Sequence, residues 1–213
     1  MVKSSSDPEK GVKLDTPLSK QQQLEAAAEM YDHMTAGNET SGIALTYCYW
    51  ELSQSPDLQA ALRRELLTLS PPIIYPVKAG ETLTLPDPKA IDALPLLHTI
   101  LMETLRLHAP IPGVQPRVTP NTPATLVGYK NLPPNVRVNA MAHSLHRNGA
   151  VFPEPEKWIP QRWLQDEDGK NLEDMKRWFW AFGSGGRMCI GSNLAMQGQL
   201  WRRAADFLEL TTI

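Results

Sequence analysis

From Leu24 to Leu52 the chain is free of proline and apolar on several faces, which predicts one long buried helix. Its middle, Met34-Thr35-Ala36-Gly37-Asn38-Glu39-Thr40, is small and polar. Ser55 followed by Pro56 predicts an N-cap and a first helical position. Leu58, Ala61, Leu62, Glu65 and Leu66 carry this second helix, and Pro71 and Pro72 stop it. Asp92 is placed to cap a third helix, with Pro95 in a first turn whose amides lack helical partners. Leu94, Leu97, Leu101 and Leu105 form its apolar stripe, and Pro110 and Pro112 end it. Between Pro116 and Met141 the pattern shortens. Ala124 to Tyr129, a turn over 131–135, and alternating Val136, Val138 and Ala140 predict one small sheet. Residues 142–180 are rich in Pro, Trp and charge without a clean period. They predict an ordered meander cored by Trp158, Trp163, Trp178 and Trp180. A helical pattern returns over 190–208, so the expected fold class is mainly α with a small β-sheet. Residues 1–20 lack periodicity and are expected to form a flexible lead-in, with order beginning near Gln21.

Composition narrows the class. The 213 residues include 21 Lys and Arg against 23 Asp and Glu, so the net charge of −2 gives no electrostatic case for nucleic-acid binding. An apolar share of 42% argues against a disordered chain. The 19 prolines are dispersed and read as punctuation between packed elements. Cys48 and Cys189 are far apart and no C-x-x-C occurs, so neither a disulfide framework nor a cysteine zinc site is indicated, and a reducing compartment is the default. No window holds the ~18 apolar residues of a membrane span, and the first twenty residues lack a signal core, so the chain as given is expected to be neither secreted nor membrane-spanning.

The stretch Phe182-Gly183-Ser184-Gly185-Gly186-Arg187-Met188-Cys189-Ile190-Gly191 is where chemistry concentrates. Four glycines in ten residues call for tight turns or close approach to something large and flat. A phosphate cradle does not fit: G-x-G-x-x-G fails at Met188, and Gly191 is followed by Ser192 and Asn193 rather than by lysine. The remaining readings are an inert thiol, or a Cys189 thiolate at the start of the final helix, stabilised by peptide N–H groups and held by a metal.

Read together as F-G-x-G-x-R-x-C-x-G, with Ala195 beyond, this segment resembles the haem-binding loop of the cytochrome P450 family. The resemblance implies that Cys189 ligates the iron of haem b and favours O–O cleavage. It places Phe182 beside the sulfur, backbone amides around Gly191 in hydrogen bonds to it, Gly183 and Gly185 among the haem-binding residues, and Arg187 on a haem propionate. Arg117, in Gln115-Pro116-Arg117-Val118, sits where the family supplies a second propionate contact; an exposed surface arginine is the alternative for both. Glu103 and Arg106 share a helix face at i and i+3. They match the family's E-x-x-R pair, and Pro160-Gln161-Arg162-Trp163 matches its P-x-R-W/F meander motif, so a buried structural triad of Glu103, Arg106 and Arg162 is implied. Ala36-Gly37-Asn38-Glu39-Thr40 resembles the family's A/G-G-x-D/E-T segment. Ala36 and Gly37 would leave room on the distal haem face, with Thr40 and Glu39 as the catalytic alcohol and acid of a proton relay. His146-Arg147-Asn148 resembles the family's H-R-D, while His143 and His146 lack a third metal ligand.

These likenesses cover about residues 20–213 and imply a partial cytochrome P450 domain over 21–213, the C-terminal portion of that fold. They imply a monooxygenase acting on a small organic substrate, with electrons from NADPH through a reductase. Lys176, Arg177, Arg202 and Arg203 are the candidate docking charges for an acidic donor face. The alternative is a truncated, catalytically incompetent haem-binding fragment. A haem-thiolate isomerase or dehydratase fits less well, because Thr40 and the intact cysteine loop are present. Full-length relatives are expected at the endoplasmic reticulum membrane through an anchor this chain does not carry. The wording of the motifs is closest to fungal members, often of secondary metabolism or detoxification. The long helix is expected to expose an apolar face and make the chain aggregation-prone when expressed alone.

Overall fold

The computed structural model describes residues 18–73, 85–164 and 170–198. The chain divides into two compact units, Met1–Asn38 and Glu39–Ile213. The expected lead-in falls almost wholly on residues 1–17, outside the described residues.

Helix α1 spans Lys20–Ser53, as its proline-free run requires. Its expected burial is corrected. Through residue 39 every described side chain of the helix is exposed, Met30, Tyr31 and Met34 among them, and burial begins only with Ala44, Cys48 and Leu52. Burial depends on a packing partner, and within the first unit the described residues are almost all this stretch of helix.

In the second unit, α2 (Pro56–Leu66) starts at Pro56 with Ser55 as N-cap, although the serine side chain makes no capping bond. The short α3 (Pro88–Asp92) is capped by Asp87, whose carboxylate accepts from the Lys89 amide at 2.9 Å. The cap expected at Asp92 is therefore a misplacement: Asp92 ends α3, and α4 (Pro95–Leu107) has Leu94 as its N-cap. Proline disfavours a helical residue before it, so Leu94 stays extended and Pro95 becomes the first helical position. The opening amides of α4 are capped from a distance. Glu65 of α2 accepts from the Leu96 and Leu97 amides at 2.8 Å each.

Helix α4 is buried nearly all round. Leu97, Ile100, Leu101 and Leu105 pack with Ala44, Cys48, Leu52, Leu62, Leu66 and Ile91, while Met102 touches a second cluster of Phe152, Trp163, Leu172 and Met175. Removing one such leucine side chain costs about 2–5 kcal/mol. Where α4 ends, the His108 ring stacks on Tyr47 at 4.3 Å and lies 2.7 Å from Glu51, tying it to the last turns of α1.

The strands form two antiparallel pairs rather than one sheet. Strand β1 (Val114–Val118) pairs with β4 (Arg137–Met141), and β2 (Ala124–Leu126) pairs with β3 (Tyr129–Leu132). The expected run Ala124–Tyr129 is broken because Val127 and Gly128 both take positive φ, +50° and +82°, which turns the chain back on itself. Beyond α5 (Ala142–His146) the meander carries a 3₁₀ turn at Pro160–Trp163 and leads to α6 (Lys170–Trp178). Residues 192–198 are helical, and the rest of the expected final helix lies outside the described residues.

Candidate functional site

The site is built around two groups of residues: a buried ionic cluster on α4 and the glycine-rich loop that follows α6. The i, i+3 spacing on α4 puts Glu103 and Arg106 side by side, both wholly buried. Arg106 donates to the carboxylate from Nε at 2.9 Å and from Nη2 at 2.8 Å. Arg162, on the 3₁₀ turn at Pro160–Trp163, donates from Nε to Glu103 Oε1 at 2.9 Å. The same carboxylate accepts from Trp163 Nε1 at 2.8 Å and from the Ile159 amide at 2.9 Å. Arg106 spends its remaining donors on backbone carbonyls, with Nη1 on His146 and Pro155 and Nη2 on Lys157. A buried charge is tolerable when every donor and acceptor is paired, and this cluster meets that condition while pinning the meander to α4.

The structure adds His146, whose likeness to a motif carried no role in the sequence. Its buried ring lies 2.7 Å from the Arg106 carbonyl at Nδ1 and 2.7 Å from the Trp180 amide at Nε2. Burial pushes its pKa down to about 4. The Arg106 and Arg147 charges press the same way, against the Arg106 carbonyl and Glu103, so the ring is neutral at pH 7. The cap that Glu65 lends α4 also went unread, because its partners lie some thirty residues away.

Beyond Trp180 the chain turns into the glycine-rich loop. The Gly183 amide donates to the Trp180 carbonyl at 3.0 Å, and Gly183 and Gly185 take φ of +70° and +71°, where a side chain is strained. A short 3₁₀ turn, Gly185–Arg187, follows. The Cys189 amide then closes the loop onto the Phe182 carbonyl at 2.9 Å, which brings these two predicted residues together through the backbone. Phe182 itself leans on the core that includes α4. Cys189 is a free, exposed thiol, whereas Cys48 is buried. A side chain at Gly191 would meet the Cys189 sulfur at 3.9 Å, so glycine there keeps that flank of the thiol open.

Arg187 is exposed on the loop. Arg117 is half-buried on β1 and donates to the Pro116 carbonyl at 2.9 Å, one residue from Gln115, whose side chain faces Gly183. Ala36 and Gly37 are exposed in the first unit; Glu39 is exposed and Thr40 half-buried where the second begins. Lys176 and Arg177 are exposed on α6, each beside an acid one turn back at 3.3 Å, Glu173 and Asp174. Arg202 and Arg203 lie outside the described residues.

Among the described residues no three His, Cys, Asp or Glu side chains gather to hold a bare metal ion. A single accessible thiol suits a different guest: an iron whose other ligands come with it, set in a flat apolar macrocycle. Exposed Met188 and Ile190 on either side of the thiol, and glycines that let a flat face come close, fit such a group.

Comparisons with known proteins give the family. A model of the cytochrome P450 family matches residues 9–198. Cytochrome P450 monooxygenase ankB of Aspergillus thermomutatus is 34% identical over 167 residues, covering 78% of this chain and 29% of that protein. Cytochrome P450 monooxygenase vrcB of Aspergillus aculeatus is 31% identical over 193 residues, 91% of this chain and 34% of that protein. The mitochondrial cytochrome P450 11B3 of Rattus norvegicus is 39% identical over 164 residues, 76% of this chain and 28% of that protein. The chain belongs to the cytochrome P450 family, with the mainly α fold and small β region that family membership implies. Members of this family hold a haem group. The chain spans about 30% of the length of the curated relatives it matches. No helix among the described residues is long and apolar enough to cross a membrane, and the family includes a mitochondrial relative.

Proposed function

We propose that this chain serves a haem-thiolate monooxygenase that inserts one atom of O2 into a small organic substrate, with electrons passed from NADPH through a reductase. The observation that supports it most is the exposed Cys189 thiol at the close of the Phe182–Gly191 loop, with its flank kept open by Gly191. In this reading Cys189 ligates the iron of haem b, Phe182, Gly183 and Gly185 shape the loop, and Arg187 and Arg117 pair with propionates. Haem b, when bound, supplies the redox-active iron at which O2 is reduced. By the family resemblance, Ala36 and Gly37 would be small residues of the haem site, and the Thr40 hydroxyl and Glu39 carboxylate would carry protons inward from water. Glu103, Arg106 and Arg162 hold the meander in place and touch no reacting atom. Lys176 and Arg177 offer docking charge to the reductase, softened by their acidic neighbours on α6. A place at the endoplasmic reticulum membrane is proposed only for a full-length relative.

The test is the absorbance spectrum of the haem-reconstituted chain after dithionite reduction and CO addition, compared with Cys189→Ser. A strongly red-shifted Soret band that the substitution removes is the expected result; the same spectrum in both proteins overturns thiolate ligation by Cys189. Product formation with NADPH and reductase then distinguishes a working oxygenase from a chain that binds haem without turnover.

A further inference from the structure

We infer that His146 is a positioning residue for the cysteine loop: its ring joins the end of α4 to the amide that opens the loop, holding the Glu103–Arg106 cluster and Cys189 in one register. The inference deepens the haem-thiolate reading and rests on it for its consequence, though the bond itself is independent of haem.

The two partners leave the ring one arrangement. A peptide carbonyl only accepts, so Nδ1, at 2.7 Å from the Arg106 carbonyl, carries the hydrogen. A peptide N–H only donates, so Nε2, at 2.7 Å from the Trp180 nitrogen, offers its lone pair. Both bonds satisfy groups that secondary structure leaves over. The Arg106 carbonyl is among the last four of α4, which have no helical partner. His146 takes that carbonyl, and the neighbouring Arg147 takes the carbonyl of Leu107 at 3.1 Å, so consecutive residues cap the end of one helix. Trp180 lies just past α6, beyond the helix's own ladder.

The ring cannot turn away. It stacks on Phe179 at 5.4 Å and 17°, and Phe152 meets it edge-on at 6.4 Å. Phe179 in turn meets Trp163 edge-on, the residue whose indole donates to Glu103. Arg106 closes the arrangement from the other side by donating Nη1 to the His146 carbonyl at 2.8 Å. From Trp180 the connection runs onward, its carbonyl accepting from Gly183 and the Phe182 carbonyl accepting from Cys189. A histidine that only filled space would need neither partner, whereas this one spends both nitrogens joining two segments that meet nowhere in sequence.

Two substitutions separate positioning from stability, because each keeps one half of the ring's bonding. His146→Asn retains a donor toward the Arg106 carbonyl and gives up the acceptor for Trp180; His146→Gln extends an acceptor toward Trp180 and gives up the donor. In the full chain without haem, amide exchange over residues 180–189 is expected to quicken at least ten-fold in H146N and to stay within about two-fold of wild type in H146Q. Arg147→Met, which uncaps the same helix end without touching the loop, serves as the control and should leave loop exchange unchanged. After haem reconstitution, H146N should lose several-fold more of the Cys189-dependent red-shifted CO band than H146Q. Equal exchange and equal band loss in the two variants overturns the inference. Nitrogen-15 NMR of the wild-type histidines needs no variant: an Nδ1–H tautomer with unprotonated Nε2 at His146 supports the assignment, and the opposite tautomer overturns it. A wild-type chain lacking any Cys189-dependent band would overturn the haem-thiolate reading alone, since exchange and NMR are read without haem.

Discussion

Glu103 and Arg106 meet fork to fork inside the protein, with Nε and Nη2 2.9 and 2.8 Å from the two carboxylate oxygens and neither side chain reaching solvent. Arg162, Trp163 and the Ile159 amide crowd onto the same carboxylate, so one acid holds donors drawn from α4 and from the meander.

Removing that acid strands buried guanidinium groups. Glu103→Ala is expected to cost about 3–5 kcal/mol, a large share of an ordinary domain's stability. Glu156→Ala, which deletes the exposed partner of Arg147, should cost less than about 1 kcal/mol. Urea denaturation of the two variants measures the contrast, and equal losses would show that the buried cluster bears no special weight.

Glu65 serves α4 as a cap supplied by another helix. Glu65→Ala should destabilise the chain by about 1–2 kcal/mol, with Glu65→Gln recovering part of that through its one remaining oxygen. Thermal melts of both variants check the order, and a neutral alanine variant would mean that water replaces the cap without loss.

The neutral His146 gives stability a dependence on pH. Its pKa, 6.5 when unfolded and about 4 in the fold, means the unfolded chain binds the extra proton between those values. Its contribution is complete above pH 6.5, falls as the pH drops, and is gone below pH 4; the shift corresponds to about 3 kcal/mol. Urea midpoints across that window should fall with acid in wild type and fall less in His146→Gln. Parallel slopes would assign the acid sensitivity to the carboxylates.

Adjacent glycines in the loop should behave differently. Gly185 has φ of +71°, and Gly185→Ala should cost about 1–2 kcal/mol although nothing lies near the new methyl group. Gly186 has neither a positive φ nor a close neighbour, so Gly186→Ala should be neutral, or stabilising by up to about 1 kcal/mol. Denaturation midpoints decide, and an equal loss in both would mean that φ is not what selects glycine here.

What sequence showed and what it hid follow from range. The long helix and the second helix depend on neighbours a turn or so away, and spacing alone revealed them; spacing put Glu103 and Arg106 on one face, but only the family resemblance implied a buried pair. Arg162 was legible only because its motif resembles a family's; no periodicity joins residues 59 positions apart. Trp163 and His146 lay in family-like motifs that assigned them no bond, and Glu65 lay in none; their bonds cross thirty to sixty positions. Local competition explains the rest. Pro95 moved the start of α4 beyond Asp92, and positive φ at Val127 and Gly128 folded one expected strand into a hairpin. Strand β1 was missed because Pro116 interrupts it, which a two-stranded ribbon tolerates since both its strands are edges.

The close approach of Gln115 to Gly183, where an added methyl group would stand 2.9 Å from the glutamine oxygen, bears on how such a protein could be rebuilt. The stretch Phe182–Gly191 looks self-contained, yet its entry lies against a glutamine on a strand some seventy residues earlier, and the amide just before it donates to a ring on a third element. Transplanted alone into another scaffold, those ten residues would carry the letters of the motif without its curvature. The portable unit is the loop together with the surfaces that mould it.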